Sequence, residues 1–156
     1  MVRKLMYDAK AEVSGSNKYP NIKGKVYFKQ TKDGVLVTAH IYELPTSNIK
    51  CQNGVFGFHI HEGEECTGNN TEPFPYSKSH YNPKKCPHPY HSGDLPPLFE
   101  NNGYAYMTVL TNRFTVEEVI GRVVILHDRP DDFITQPSGN SGEKIACGEI
   151  KRMYVR

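Results

Sequence analysis

Short segments of alternating polar and apolar residues, bounded by turn-forming residues, recur through this chain of 156 residues. Such alternation gives a strand one buried and one exposed face and is typical of antiparallel sheets. The sequence predicts strands at residues 9–13, 23–29, 35–42, 55–61, 104–110 and 123–127. Asp33-Gly34, between the second and third of them, is typical of a β-hairpin turn. Because strands at this spacing have to close over a shared core, we predict an all-β fold with Greek-key or sandwich connections.

The sequence predicts almost no helix, since no segment has a sustained 3.6-residue apolar period. Thr115 followed by Glu118 has the pattern of a capping box, and we predict at most one helical turn after it. The chain has the length of one domain and carries neither an internal repeat nor an evident linker. We therefore predict a single domain, 1–156.

The charge balance argues against some classes of partner. Lys plus Arg number 19 and Asp plus Glu number 17, which gives no reason to expect nucleic acid or an anionic membrane as a partner. The first 13 residues hold no apolar run of signal-peptide length, and no segment is apolar over the length of a membrane span. We therefore expect a cytoplasmic protein.

Six of the seven histidines are candidates for metal ligands. His59 and His61 end a predicted strand, where residues i and i+2 point to the same face, so that two imidazoles could bind one ion. Taken alone, such a pair of histidines is more often an ordinary surface or core feature than a metal site. His127 ends another predicted strand and could add an imidazole from across the sheet.

A long stretch rich in Pro, Gly, Asn and Ser interrupts the strand pattern between residues 61 and about 98. A loop of this length in a compact domain is normally functional or disordered. Its candidate ligands are His80, His88, His91 and Asp94. Three imidazoles and one carboxylate form a closed tetrahedral set suited to zinc, and the alternative is a solvated polar loop. Together with the strand histidines there are seven ligand groups, enough for two four-ligand sites only if one histidine places a nitrogen on each metal.

Five motifs, taken in order along nearly the whole chain, are similar to those of the copper,zinc superoxide dismutase family. They are Gly57-Phe58-His59-Ile60-His61-Glu62, His80-Tyr81-Asn82-Pro83, His91-Ser92-Gly93-Asp94-Leu95-Pro96, Gly121-Arg122-Val123-Val124-Ile125-Leu126-His127 and Gly142-Glu143-Lys144-Ile145-Ala146-Cys147-Gly148. The resemblance implies an eight-stranded Greek-key β-barrel or flattened, Ig-like sandwich with a long metal-binding loop and a shorter electrostatic loop. It also implies an antioxidant enzyme that converts superoxide to dioxygen and hydrogen peroxide.

Carried over motif by motif, the resemblance assigns both metals. Copper is assigned to His59, His61, His80 and His127. Zinc is assigned to His80, His88, His91 and Asp94. His80 then bridges the two ions, copper alternates between two oxidation states, and zinc has a structural role. The resemblance further implies that Asp131 accepts hydrogen bonds from one copper and one zinc histidine, and the alternative for it is a solvated Asp131-Asp132 turn.

The resemblance also implies a disulfide between Cys66 and Cys147, the latter placed before the last strand. This bond would tie the metal-bearing loop to the barrel. Cys51 and Cys86 have no partners in the family's usual pattern, and we favour free thiols for both. A disulfide between these two, and a role for Cys86 as an additional soft ligand near zinc, stay open at this point.

Lys144 departs from the family's pattern, which places an arginine three residues before the final cysteine to dock superoxide. We count Lys144 with the four copper histidines among the catalytic residues. Lysine keeps the positive charge but lacks the planar guanidinium with its several donors, and Glu143 adds a negative charge beside it. Arg129 could compensate. We expect an active enzyme with weaker anion attraction, hence a reduced rate and an altered dependence on salt.

Besides superoxide, the resemblance implies a second copy of the chain in a homodimer and a copper chaperone as partners. Two other classes of function remain as alternatives. A copper-delivery protein on the same fold predicts that a copper ligand is missing from the set. A structural or interaction domain predicts that the histidines are incidental.

Overall fold

Strands make up most of the regular structure. A computed structural model describes residues 6–51, 54–69 and 71–154. Its strands are β1 (Ala9–Gly15), β2 (Lys23–Thr31), β3 (Gly34–Tyr42), β4 (Val55–Phe56), β5 (Phe58–His61), β6 (Leu98–Phe99), β7 (Ala105–Thr111), β8 (Val123–His127) and β9 (Lys144–Arg152). A 3-10 turn spans Pro75–Ser77, and a short helix, α1, spans Val116–Val119.

Seven of the strands form one antiparallel sheet in the order β5-β8-β9-β1-β2-β3-β7, and β4 pairs with β6. The connections from β3 to β5 and from β7 to β8 cross between the two ends of this order, as in a Greek key. Only Gly57 separates β4 from β5, so the predicted strand at residues 55–61 is divided at this glycine. The sheet curls into a half-barrel, which confirms the predicted all-β Greek-key fold.

The core lies inside this curled sheet. In β1, for example, Ala9, Ala11 and Val13 are buried while Glu12 between them is exposed, as the alternating pattern predicts. The largest fully buried side chains of the core are Phe28, Ile41, Phe58, Ile60, Leu98, Leu126, Ile145 and Ile150.

The strand predictions made from alternation omit β9, although it lies in the middle of the sheet between β8 and β1. Residues 145–148 are all buried, so β9 has no alternation of polarity. Ile145 packs in the main core, whereas Cys147 packs with Phe74 and Ile125 beneath the long loop. A strand covered on both faces reads as a short apolar run, which periodicity alone does not identify as a strand.

The two local signals in the sequence are confirmed. Thr115 and Glu118 form a reciprocal capping box, and α1 ends after one turn. Thr31 pairs with Gly34 in a β2–β3 hairpin, so that Gly34 begins β3 rather than lying in the turn. Among the described residues, no helix has the length and apolar character needed to cross a membrane.

Candidate metal centre

Two neighbouring strands place three histidines on one outer face of the sheet. His59 and His61 lie on β5 and pair with Ile125 and Val123 of β8, and His127 ends β8 two residues after Ile125. Residues two apart on a strand share a face, so all three imidazoles are on the side that the long loop covers.

The long loop adds its ligand groups by extending this sheet with isolated bridges. His80 pairs with His61, and Asp94 pairs with His59. The loop is anchored because the backbone N–H of Ile60 donates to Gly93 at 2.8 Å and that of Gly93 donates to Tyr81 at 2.9 Å. A Cβ at Gly93 would lie 2.2 Å from the Ile60 carbonyl oxygen, so only glycine allows this close approach.

The seven predicted ligands lie in two adjoining clusters, each with its ligand atoms within 4.8 Å of one another. The four-histidine group consists of His59, His61, His80 and His127. The mixed group consists of His80, His88, His91 and Asp94. All seven side chains are buried, so they are not part of a solvated polar loop.

His80 belongs to both groups because its two ring nitrogens have different neighbours. Its Nδ1 lies 2.8 Å from Asp94 Oδ1 and 3.4 Å from His91 Nδ1, within the mixed group. Its Nε2 is buried without a hydrogen-bond partner, and its ring centre lies 4.0 Å from that of His59. One imidazole therefore directs a different ring nitrogen towards each group.

Orphaned nitrogens show that the two groups fit metal ions. His59 Nδ1, His80 Nε2 and His88 Nδ1 are buried and have no hydrogen-bond partner. Such atoms are costly in a folded protein unless something binds their lone pairs. His88 Nδ1 lies 3.0 Å from Asp94 Oδ2 without a hydrogen bond, as two lone pairs do when they point to a common centre.

The spacing of the nitrogens agrees with tetrahedral ligation. Bonds of about 2.0–2.1 Å to one ion place neighbouring ligand atoms about 3.3 Å apart. His61 Nε2 and His127 Nε2 are 3.3 Å apart, and His80 Nδ1 and His91 Nδ1 are 3.4 Å apart. Three nitrogens and a carboxylate oxygen suit zinc, and a set of four imidazoles suits copper.

Asp131 connects the two groups through hydrogen bonds to one histidine of each. Its Oδ2 accepts a hydrogen bond from His59 Nε2 at 2.6 Å, and its Oδ1 accepts one from His88 Nε2 at 2.7 Å. Each histidine thereby carries its proton on Nε2, which leaves the Nδ1 lone pair for a metal. Burial alone would raise the pKa of Asp131, but these hydrogen bonds outweigh it and hold the pKa well below its usual range. Asp131 is 5% exposed, so the solvated-turn alternative is wrong.

Burial also keeps the histidines in their ligating form. It lowers the pKa of His59 to about 4 and that of His127 to about 3, and it lowers the pKa of His61 well below its ordinary value. A neutral imidazole offers a lone pair, whereas a protonated one does not. These three imidazoles of the four-histidine group are therefore neutral, and able to bind a metal, at neutral pH.

Lys144 lines one cavity together with His61, His80 and His127, and we call this cavity the mouth of the site. Its ammonium donates to Ser77 Oγ at 2.7 Å, to the Lys78 carbonyl at 3.1 Å and to the Phe74 carbonyl at 3.4 Å. An ammonium has three protons, so all of its donors are engaged by the loop. Ser77 was not among the site residues predicted from the sequence. No local pattern identifies a serine that accepts a hydrogen bond from a strand residue 67 positions later.

Two further charges near Lys144 were expected to modify its effect. Glu143 is paired with another cation, since its carboxylate lies 2.8 Å from the ammonium of Lys18. Arg129 is not among the residues that line the cavity at the mouth. Lys144 and Lys78 are the cationic residues of that lining.

The disulfide between Cys66 and Cys147 is confirmed, with the two Cα atoms 5.6 Å apart. Cys147 lies within β9 rather than before it, so the bond joins the loop directly to the centre of the sheet. Cys51 and Cys86 are free thiols, which rules out the alternative disulfide between them. Cys86 is not a member of either ligand group.

Comparison with known proteins points to the chemistry of this arrangement. Residues 22–150 match the model of the copper/zinc superoxide dismutase (SODC) family. The chain is 34% identical over 152 residues to a Cu-Zn superoxide dismutase of Legionella pneumophila, covering 92% of this chain and 87% of that protein. It is 31% identical over 159 residues to Cu-Zn superoxide dismutase 2 of Aquifex aeolicus (strain VF5), covering 92% and 88%. The chain belongs to the copper/zinc superoxide dismutase family.

Proposed function

We propose that the four-histidine group holds copper, that the mixed group holds zinc, and that the protein disproportionates superoxide at the copper site. The observation that carries this assignment is His80, whose two nitrogens serve one group each. Both ligand sets are complete among the described residues, which opposes a copper-delivery protein with a missing ligand. The buried, mutually oriented imidazoles oppose a domain in which the histidines are incidental.

Copper bound by four imidazoles supplies the one-electron redox chemistry that turns two superoxide ions into dioxygen and hydrogen peroxide. Formation of hydrogen peroxide needs protons, and His80 is suited to provide one of them. It can hold a proton at Nε2 while Nδ1 stays directed towards Asp94 and His91. These contacts of Nδ1 with the mixed group keep the His80 ring in place when Nε2 gains or loses a proton.

Two other residues act through position and charge. Asp131 fixes the tautomers of His59 and His88, so that both present Nδ1 to a metal. Lys144 places a positive charge at the mouth, where it draws the anionic substrate towards His61 and His127. Its three donors are already engaged, so it attracts superoxide as a charge rather than by a direct hydrogen bond.

Three finer proposals follow, and the family resemblance supports two of them, the homodimer and the copper chaperone. We propose that the protein is a homodimer, that it is cytoplasmic, and that a chaperone delivers its copper. Light scattering tests the first by mass, against 17.7 kDa for one chain. Fractionation of the native cells tests the second. Copper content after expression with and without a chaperone tests the third.

The test of the function is superoxide decay after pulse generation, followed for protein loaded with copper and zinc, zinc alone, or no metal. We expect rapid, catalytic decay only in the first preparation. His127→Ala removes a ligand of copper but not of zinc, so it should abolish the activity and keep about one zinc per chain. His40→Ala, outside both ligand groups, is the matched control. Slow decay by the copper-loaded protein, no faster than with zinc alone, would contradict the proposal.

A further inference from the structure

Arg113 is an exposed arginine next to the barrel whose side chain reaches into the zinc-bearing loop. It lies between the end of β7 at Thr111 and the capping box that begins at Thr115. Its backbone N–H donates to Thr111 Oγ1 at 3.3 Å, and the adjacent Phe114 is buried in the core. The base of this side chain is therefore fixed to the sheet and not to the loop.

Its guanidinium contacts three backbone carbonyls of one loop segment. Nη1 lies 2.8 Å from the carbonyl oxygen of Pro89, 3.3 Å from that of His91 and 3.4 Å from that of Asp94. His91 and Asp94 are two of the four members of the mixed group, and Pro89 follows a third, His88. One cationic nitrogen thus spans the part of the loop that presents the zinc ligands.

The segment has a second tie on its other side. Gly93 bonds to Ile60 and Tyr81 through its backbone, which fixes the loop against β5. The segment therefore lies between the β5 anchor at Gly93 and the Arg113 guanidinium, which comes from the opposite end of the sheet order. Two ties, one to β5 and one to the segment that follows β7, restrict both position and rotation of the ligand-bearing turn.

Without a cation, two lone pairs of the mixed group face each other and repel. Asp94 Oδ2 and His88 Nδ1 approach to 3.0 Å without a hydrogen bond, because the proton of His88 is on Nε2. Something else has to offset this repulsion if the group is to be assembled before the metal arrives. The guanidinium can do so, because its charge-assisted hydrogen bonds hold the carbonyl ends of the same residues.

We propose that Arg113 is a positioning residue that pre-assembles the zinc ligands, an inference that rests on the assignment of zinc to the mixed group. Apparent affinity falls in proportion to the fraction of protein in the binding-competent conformation. Loss of the Arg113 contacts is expected to weaken zinc binding roughly tenfold, at the low end of the 10–100-fold typical of groups that support metal ligands.

The test compares Arg113→Met, which keeps much of the length but no donor, with Arg113→Lys and with Arg152→Met. Arg152 is the matched control, because its guanidinium pairs with Glu117, away from the loop. Zinc affinity is measured by competition with a chromophoric chelator, and the geometry of the site by the visible spectrum of the Co(II)-substituted protein. Denaturant unfolding of the metal-free variants reports the stability of the barrel.

We expect zinc affinity to fall about tenfold in Arg113→Met, with an altered Co(II) spectrum, and to recover in part in Arg113→Lys. Arg152→Met should keep the wild-type affinity. Wild-type zinc affinity and spectrum in Arg113→Met would overturn the inference, as would an equal loss in Arg152→Met. A wild-type protein that binds no zinc would instead contradict the proposed function, so the two failures are distinguishable.

Discussion

The ammonium of Lys144 donates a hydrogen bond to the hydroxyl of Ser77 across 2.7 Å and so ties β9 to the loop in front of the four-histidine group. The carbonyls of Lys78 and Phe74 accept its other two protons. A guanidinium in this place would have five donors, enough to keep these contacts and still donate outward. The lysine therefore supplies charge to the mouth but no free donor.

Lys144→Arg should raise the rate of superoxide consumption, since an arginine adds outward donors while keeping the charge. We expect a gain of roughly twofold to fivefold at low salt, and Lys144→Met should lower the rate roughly tenfold with a weaker salt dependence. The rate of superoxide consumption, measured over a range of ionic strengths, checks the expectations for both variants. Lys151→Met, at the far end of β9, is the control. Unchanged rates in both Lys144 variants would refute this role.

Asp131→Asn should weaken zinc binding by roughly 10–100-fold, because an amide no longer accepts two charge-assisted hydrogen bonds from His59 and His88. Chelator competition measures the change. Asp132→Asn is a close control, since Asp132 is exposed and its carboxylate accepts hydrogen bonds from Ile134 and Thr135 of its own turn. Equal zinc affinities in the two variants would show that Asp131 does not position these ligands.

The metal-free protein should lose stability as the pH falls below about 6.5. The unfolded chain takes up protons on His59 and His127 near that pH, whereas burial lowers their folded-state pKa values to about 4 and about 3. Stability is therefore full above pH 6.5 and decreases down to the folded-state values, because the unfolded state binds more protons in this window. Urea unfolding between pH 3.5 and 7.5 measures it, and a flat profile would contradict the burial argument.

Replacing both Cys66 and Cys147 by serine should lower the free energy of unfolding by about 3–5 kcal/mol, as expected for a crosslink closing a loop of this size. The two cysteines are 81 residues apart in the sequence. Denaturant unfolding of the metal-free protein measures the loss. Cys86→Ser, which removes a free thiol, should have little effect. A loss shared equally by this control would show that the crosslink is not its cause.

Local patterns in the sequence account for much of the fold. Alternation identifies the strands with one exposed face, such as β1, and the capping box identifies the start of α1. The pair His59 and His61 is predictable for the same reason, since positions two apart on a strand share a face. The burial of β9 on both faces removes that signal, so alternation does not find this interior strand of the sheet.

The contacts that support the site are long-range and leave no local pattern. Ser77 accepts a hydrogen bond from Lys144, which comes 67 residues later in the chain. Lys18 pairs with Glu143, which comes 125 residues later. Arg113 reaches carbonyls 19 to 24 residues before it. The curl of the sheet decides which loop residue approaches which strand, so these partners follow from the structure and not from the spacing of residues.

The assignment of copper and zinc requires that His80 join the two ligand groups through one ring. Electron paramagnetic resonance tests this on protein loaded with Cu(II) in the four-histidine group and Co(II) in the mixed group. A shared imidazole carries magnetic exchange between the two ions, so we expect the Cu(II) signal to be lost or strongly broadened when both sites are filled. An unaltered, isolated Cu(II) signal with both sites filled would show that the two ions do not share His80.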